Sequence, residues 1–272
     1  MKNLTLVFAA TLLSANFAAA QTVPKQDQLH KTPTEGCINL PSLEKKVEDL
    51  ETRLHDWPEL ARYADANASL APAVSGEQRV VFMGDSITDM WANPQYGGFF
   101  PGKPYVDRGI SGQTTPQMLI RFRPDVIDLK PAVVVILAGT NDIAGNTGPM
   151  TLEQTEANLA SMSDLAHAHG IRVVMASVMP VADVTTPDGK KLVQTEKRPP
   201  QKILALNTWI KSYAAEHGDV YLDYFSAMAD DKGFLKSDLT YDGLHPQTKG
   251  YSVMAPLAEK AVQEALQQPT NH

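Results

Sequence analysis

The stretch Val80–Trp91, VVFMGDSITDMW, passes from an apolar run through Gly84-Asp85-Ser86 into a helix-like pattern. A serine on a strand-to-helix turn holds its hydroxyl out at a sheet edge, where it can attack a carbonyl if a base is in reach. The G-x-S-x-G signature of one such turn is not met, because Thr88 stands where the second glycine would be. Helix capping is the simpler role for Ser86, so the search for a base decides between the two. The chain has seven histidines. His30 and His272 lie near the termini, and His55 falls in an N-terminal helical stretch. His167 and His169 are two apart at a helix end and face different sides. His217 precedes Gly218 at another helix end, where a cation is favoured by the helix dipole. His245 alone sits in a loop between the last strand and the last helix, three residues after Asp242. In a loop turning at Gly243, the Asp242 carboxylate can take the imidazole Nδ1–H and leave Nε2 to accept a serine proton. That reading makes Ser86 the nucleophile, His245 its base and Asp242 the orienting carboxylate, in the chain order Ser…Asp…His known for such triads.

Attack on a carbonyl also requires donors for the oxyanion that develops. Three are in prospect: the backbone N–H of Ser86 at a helix N-terminus, the unobstructed N–H of Gly112, and the side-chain amide of Asn141 after the strongest strand. A turn-forming role is the alternative for Asn141. Asp85 and Asp142 read as local turn braces and Asp89 as a solvated side chain. Trp91, Tyr96, Phe99 and Phe100 either line an acyl or sugar pocket or belong to the core.

The elements that must position these groups follow from periodicity. Short apolar runs over Arg79–Met83, Tyr105–Asp107, Ala132–Ala138, Arg172–Val178 and Val220–Phe225 read as strands. Ala132–Ala138, AVVVILA, is β-branched without alternation, as for a strand covered on both faces. Helical patterns intervene at Pro116–Leu129, Leu152–His169, Gln201–His217 and Lys249–Gln267. Such alternation implies an α/β domain, a parallel sheet of about five strands with helices on both sides. Ligands of such a sheet sit beyond the carboxyl ends of its strands, where Ser86, Gly112, Asn141 and His245 all fall. Asn93–Lys103 and Pro180–Pro200 are long loops of the kind that form binding rims.

Length and composition, 272 residues with 43% hydrophobic and 20% charged, fit one large globular domain. Lys2, the apolar Leu4–Leu13 and Ala18-Ala19-Ala20 have the layout of a signal peptide cleaved after Ala20, too short to span a bilayer. Residues 21–40 then read as a flexible leader, 41–77 as an N-terminal helical extension and 78–268 as the catalytic domain. In the extension Leu43, Val47, Leu50, Leu54 and Trp57 recur at helical spacing; packing on the main domain is expected rather than a coiled coil, since the heptads are few. This organisation predicts a secreted or periplasmic protein. A net charge of −7 argues against nucleic acid and anionic membranes as partners. Cys37 is the one cysteine, so no internal disulfide forms. No cluster has metal-ligand spacing and no loop has the P-loop pattern, so neither metal nor cofactor is expected. Oligomeric state is left open.

Four blocks in order, Gly84-Asp85-Ser86-Ile87-Thr88, Gly109-Ile110-Ser111-Gly112, Gly139-Thr140-Asn141-Asp142 and Asp242-Gly243-Leu244-His245-Pro246, resemble the motifs of the GDSL, or SGNH, hydrolase superfamily. They span nearly the whole catalytic domain. The chain is similar to secreted bacterial acylhydrolases, including carbohydrate O-acetylesterases, and in motif style to platelet-activating-factor acetylhydrolases. The resemblance implies a three-layer α/β/α flavodoxin-like fold, Ser86, Asp242 and His245 as triad, and Ser86, Gly112 and Asn141 as oxyanion hole. The second glycine that the superfamily lacks accounts for Thr88. The extension lies outside the superfamily core. The expected activity is hydrolysis of short acyl esters, acetyl foremost, on a glycan or small molecule; a lysophospholipase or general carboxylesterase is the alternative. A non-catalytic carbohydrate-binding module is the competing class, and intact Ser86, Asp242 and His245 weigh against it.

Overall fold

The computed structural model describes residues 40–74, 76–96 and 98–269. The expected signal peptide and all but the last residue of the leader lie outside them. Residues 49–272 form one compact unit; of the other, residues 1–48, the start of the first helix is described.

In that helix, α1 (Leu40–His55), Leu43, Val47, Leu50 and Leu54 are exposed. It ends earlier than the apolar spacing implies. Both carboxylate oxygens of Asp56 accept backbone N–H groups, from Leu60 at 2.8 Å and Ala61 at 2.9 Å, and Pro58 has no N–H to continue the ladder. A turn therefore replaces the expected helix before α2 (Ala64–Ser69) begins. The turn and α2 are tied to the next elements by side chains.

The chain then alternates. Strand β1 (Val80–Gly84) enters the short helix α3 (Ser86–Asp89); β2 (Tyr105–Gly109) is followed by α4 (Thr115–Asp125). Next come β3 (Val133–Leu137), the short α5 (Thr140–Ile143) and α6 (Leu152–His167). After β4 (Arg172–Ala176), a small hairpin of β5 (Val184–Thr185) and β6 (Lys191–Leu192) leads to α7 (Pro200–His217). Finally β7 (Val220–Leu222) leads to α8 (Tyr224–Met228) and, after a loop, α9 (Thr248–Gln267).

The five long-range strands pair in parallel in the order β2-β1-β3-β4-β7. This is the three-layer flavodoxin-like arrangement, with its switch point between β1 and β3. All five residues of β1 and of β3 are buried, which is why those runs lack alternation. Val81, Met83, Val134 and Ile136 pack with Met118, Phe122, Leu159 and Ile210 of α4, α6 and α7. Val80, Phe82, Val133 and Val135 pack on the other side with Met228 of α8 and Met254, Ala258 and Val262 of α9. The pleat thus sends successive side chains into two separate cores.

Two of these boundaries differ from the sequence expectation. β7 stops at Leu222 because Asp223 caps α8, accepting the Ser226 N–H at 2.9 Å. α4 gives way after Asp125 to a 3₁₀ turn over Ile127–Leu129. In the Asn93–Lys103 loop Phe100 is buried, as is Trp91 just before it. Phe82 and Phe100 have ring centroids 5.2 Å apart, and Trp91 and Tyr251 5.0 Å. These aromatic rings belong to the core.

Residues 56–67 also border β2, an edge strand. The Tyr63 hydroxyl donates to Gly109 O, and the Arg108 guanidinium lies over the Tyr63 ring at 4.6 Å. Asn67 Oδ1 accepts from Arg108 Nε at 2.9 Å and Nη2 at 2.7 Å, while its Nδ2 donates to Asp125 Oδ1 at 2.7 Å.

Candidate active site

Ser86 follows β1, and the capping question is settled by its neighbour. Asp85 is the cap of α3: its Oδ1 accepts the Ile87 N–H at 2.9 Å. Ser86 is therefore free of that duty, and its Oγ stands 2.9 Å from His245 Nε2. Burial pushes the Asp85 carboxyl up to about 6, against the pull of the Ile87 hydrogen bond and the nearby His245 and Arg198.

The imidazole is placed by a tightly wired loop. Thr240 Oγ1 donates to His245 O at 2.8 Å and accepts the Gly243 N–H at 3.0 Å. Gly243 has φ +82°, and a Cβ there would lie 2.0 Å from Ala182 O, so only glycine fits the turn. Asp242 Oδ1 accepts the N–H groups of Leu244 at 2.9 Å and His245 at 2.8 Å. Its Oδ2 lies 2.6 Å from His245 Nδ1. Burial raises the Asp242 carboxyl, but the His245 side-chain bond and the two backbone bonds outweigh it and bring the group down to about 2. An ionised carboxylate only accepts, so Nδ1 carries the hydrogen and Nε2 keeps a lone pair facing the Ser86 hydroxyl. Because the folded value lies below the unfolded one, this group's stabilisation is present above about pH 4 and fades as pH falls toward 2. Asp242, His245 and Ser86 thus form one continuous chain of hydrogen bonds across the carboxyl edge of the sheet.

The three expected donors lie just beyond β1, β2 and β3, on the carboxyl edge that carries Ser86. Among the described residues, no protein hydrogen bond occupies the N–H of Ser86 or of Gly112. Gly112 has φ +81° and sits inside the turn closed by the Gln113 N–H on Ile110 O, a conformation glycine takes without strain. Asn141 lies on α5 beyond β3, across the switch point from Ser86. Its Nδ2 donates to Gln113 O at 3.0 Å and faces Asp85 Oδ2 at 3.4 Å, a long contact that leaves one N–H weakly engaged.

Arg198 was not foreseen from sequence. It is buried at the end of the 180–200 loop, and its Nη2 donates to Asn141 Oδ1 at 3.2 Å, its Nε to Thr140 Oγ1 at 3.1 Å. The guanidinium can only donate, so it fixes the Asn141 oxygen on its own side and leaves Nδ2 on the side of Gln113 O and Asp85 Oδ2. Nothing in the local sequence marks this arginine; its one clue is that a long loop returns to the sheet edge there. Two aspartates differ from their expected roles. Asp142 reaches α4, accepting the Thr115 N–H at 3.0 Å, and Asp89 accepts from Ser111 Oγ at 2.6 Å and pairs with Arg62 at 3.6 Å. Among the described residues no three His, Cys, Asp or Glu side chains group as a metal site, and no helix is long and apolar enough to cross a membrane.

The sequence pattern of the GDSL-like lipase/acylhydrolase family matches residues 82–253. A GDSL-like lipase from Bacteroides thetaiotaomicron, known as a crystal structure, is 43% identical, with a TM-score of 0.69 over 76% of this chain and 98% of that one. An acetylxylan esterase from Geobacillus stearothermophilus shares the fold at 22% identity, with a TM-score of 0.55 over 68% of this chain and 94% of that one. Esterase TesA from Pseudomonas aeruginosa is 38% identical over 73 residues, 27% of this chain and 35% of that protein. The chain spans about a third of the length of the curated relatives it matches.

Proposed function

The chain belongs to the GDSL-like lipase/acylhydrolase family, and we propose that it is a secreted serine esterase that removes short acyl groups, acetyl foremost, from carbohydrate esters. The observation that carries this reading is the unbroken line from Ser86 Oγ through His245 to Asp242 beside the unoccupied N–H groups of Ser86 and Gly112. Ser86 Oγ attacks the ester carbonyl while its proton passes to His245 Nε2. The oxyanion is held by the two backbone N–H groups and Asn141 Nδ2. Collapse of the tetrahedral species breaks the bond to the alcohol, which leaves with the proton from His245. A water then gives a proton to His245 as it attacks the acyl-enzyme; the Ser86 Oγ–acyl bond breaks, Oγ takes the proton back from His245, and the acid leaves. Asp242 stays ionised throughout and steadies the imidazolium.

Short acyl groups are favoured because Trp91 and Phe100, large apolar side chains of the segment that follows Ser86, are buried in the core. A carbohydrate alcohol is favoured because the cleft beside Gly112 is bordered by Glu59, Arg62, Asn146 and Thr147. The Lys2, Leu4–Leu13 and Ala18–Ala20 pattern supports export. A series of p-nitrophenyl esters tests the acyl preference: kcat/KM is expected to fall at least about tenfold from acetate to octanoate. A rise along the series, or turnover of lysophospholipids in preference to acetylated sugars, would favour the lipolytic alternative.

Arg198 supplies a sharper test of the oxyanion assignment. Arg198→Ala frees the Asn141 amide to turn, and kcat is expected to fall about 10- to 100-fold with KM changed far less. Arg198→Lys should recover little, since one ammonium cannot reproduce the planar fork that spans Thr140 and Asn141. Wild-type kcat in both variants would remove Asn141 orientation from the account.

A further inference from the structure

The polar cleft beside Gly112 is walled by the segment Asp56–Arg62, which the family pattern at residues 82–253 does not include. We propose that this segment builds a glycan-binding subsite, with Trp57 as the platform for a sugar ring and Glu59, Arg62 and Asn146 as partners for its hydroxyls. The proposal rests on the esterase reading and names where the alcohol side of the substrate lies.

Four observations support it. The cleft has a volume of about 860 Å³ and runs from Trp57 to Ser111 and Gly112, so it opens on the loop that carries an oxyanion donor. Trp57 is 39% exposed among charged and amide groups, whereas Trp91 is buried. A sugar presents an apolar C–H face and a hydroxyl edge, which an indole face and carboxylate, guanidinium or amide groups match. The wall is held in place: Gln117 Nε2 donates to Trp57 O at 2.7 Å and Gln113 Nε2 to Pro58 O at 2.8 Å. Gln113 follows Gly112 directly and Gln117 lies in the first turn of α4, so the donor's loop and the helix start after it together hold the platform. Finally, Glu59 takes φ +57°, a left-handed state that costs a non-glycine residue energy and recurs where a side chain must be aimed.

The test compares partially acetylated xylo-oligosaccharides with p-nitrophenyl acetate, whose leaving group has no sugar. Trp57→Ala should raise KM for the oligosaccharide about tenfold more than for p-nitrophenyl acetate, and Trp57→Phe should recover most of the difference. Arg62→Ala, on the exposed rim, should produce a smaller effect of the same kind. In the Ser86→Ala protein, a deacetylated xylo-oligosaccharide should perturb tryptophan fluorescence, and Trp57→Phe in that background should abolish the signal. Equal changes in KM on both substrates, no change on either, or hydrolysis of p-nitrophenyl acetate without any of the oligosaccharide would overturn the subsite. Inactivity of the wild type toward every ester would instead overturn the esterase reading itself.

Discussion

Replacing Ser86 with alanine is expected to lower kcat by about 10⁵- to 10⁶-fold while the protein stays folded. The magnitude follows from the role: the variant loses covalent catalysis altogether, and the donors alone give only residual acceleration over water. The fold is expected to tolerate it because Ser86 is not the cap of α3. Asp85 accepts the Ile87 N–H, and the Tyr251 hydroxyl still donates to Ile87 O at 2.9 Å from α9. Circular dichroism and thermal melting would check the fold, and p-nitrophenyl acetate turnover the activity. Retained turnover in a folded Ser86→Ala protein would rule out Ser86 as the nucleophile.

Asp242→Asn carries the second largest expected effect, a loss of about 10³- to 10⁴-fold in kcat. The asparagine Oδ1 can keep the Leu244 and His245 N–H groups, so the loop holds its shape. Its amide, however, takes the place of the oxygen now 2.6 Å from His245 Nδ1. An amide donates there, so Nδ1 must accept, and the ring hydrogen moves to Nε2, where it faces Ser86. The base is then in the wrong tautomer. Asp242→Ala should cost as much activity and also stability, about 1–3 kcal/mol for the backbone donors left without their acceptor. The two variants together separate tautomer control from loop folding. In the native protein Asp242, held at about 2, stays ionised well below neutral pH, so loss of activity between pH 4 and 7 does not arise from its protonation.

The sheet was legible because its central strands are buried on both faces. Val80–Gly84 and Val133–Leu137 cannot alternate, and such runs have few other readings. The convergence of Ser86, Asn141 and His245 on one edge followed from strand polarity alone, since each lies just beyond a strand or in the last loop. What stayed hidden depends on contacts between distant segments. Arg198 is one polar residue in a polar loop until the fold sets it 3.2 Å from Asn141. Asp142 reads as a local turn brace, yet its partner Thr115 is 27 positions away. The extension shows only its helical spacing in sequence; that Asn67 ties Arg108 to Asp125 requires β2 and α4 to be in place. Local propensity misjudged β7 for a related reason: Tyr224 and Phe225 suit a strand, but the Asp223 cap starts a helix first.

The central claim is that the Ser86 hydroxyl is activated by His245 and accepts the acyl group. Trapping with a fluorophosphonate, followed by peptide mapping, tests it most directly. The account predicts one adduct per chain, on Ser86, forming far more slowly in Asp242→Asn. An adduct on another residue, or none in a protein that still hydrolyses p-nitrophenyl acetate, would contradict it.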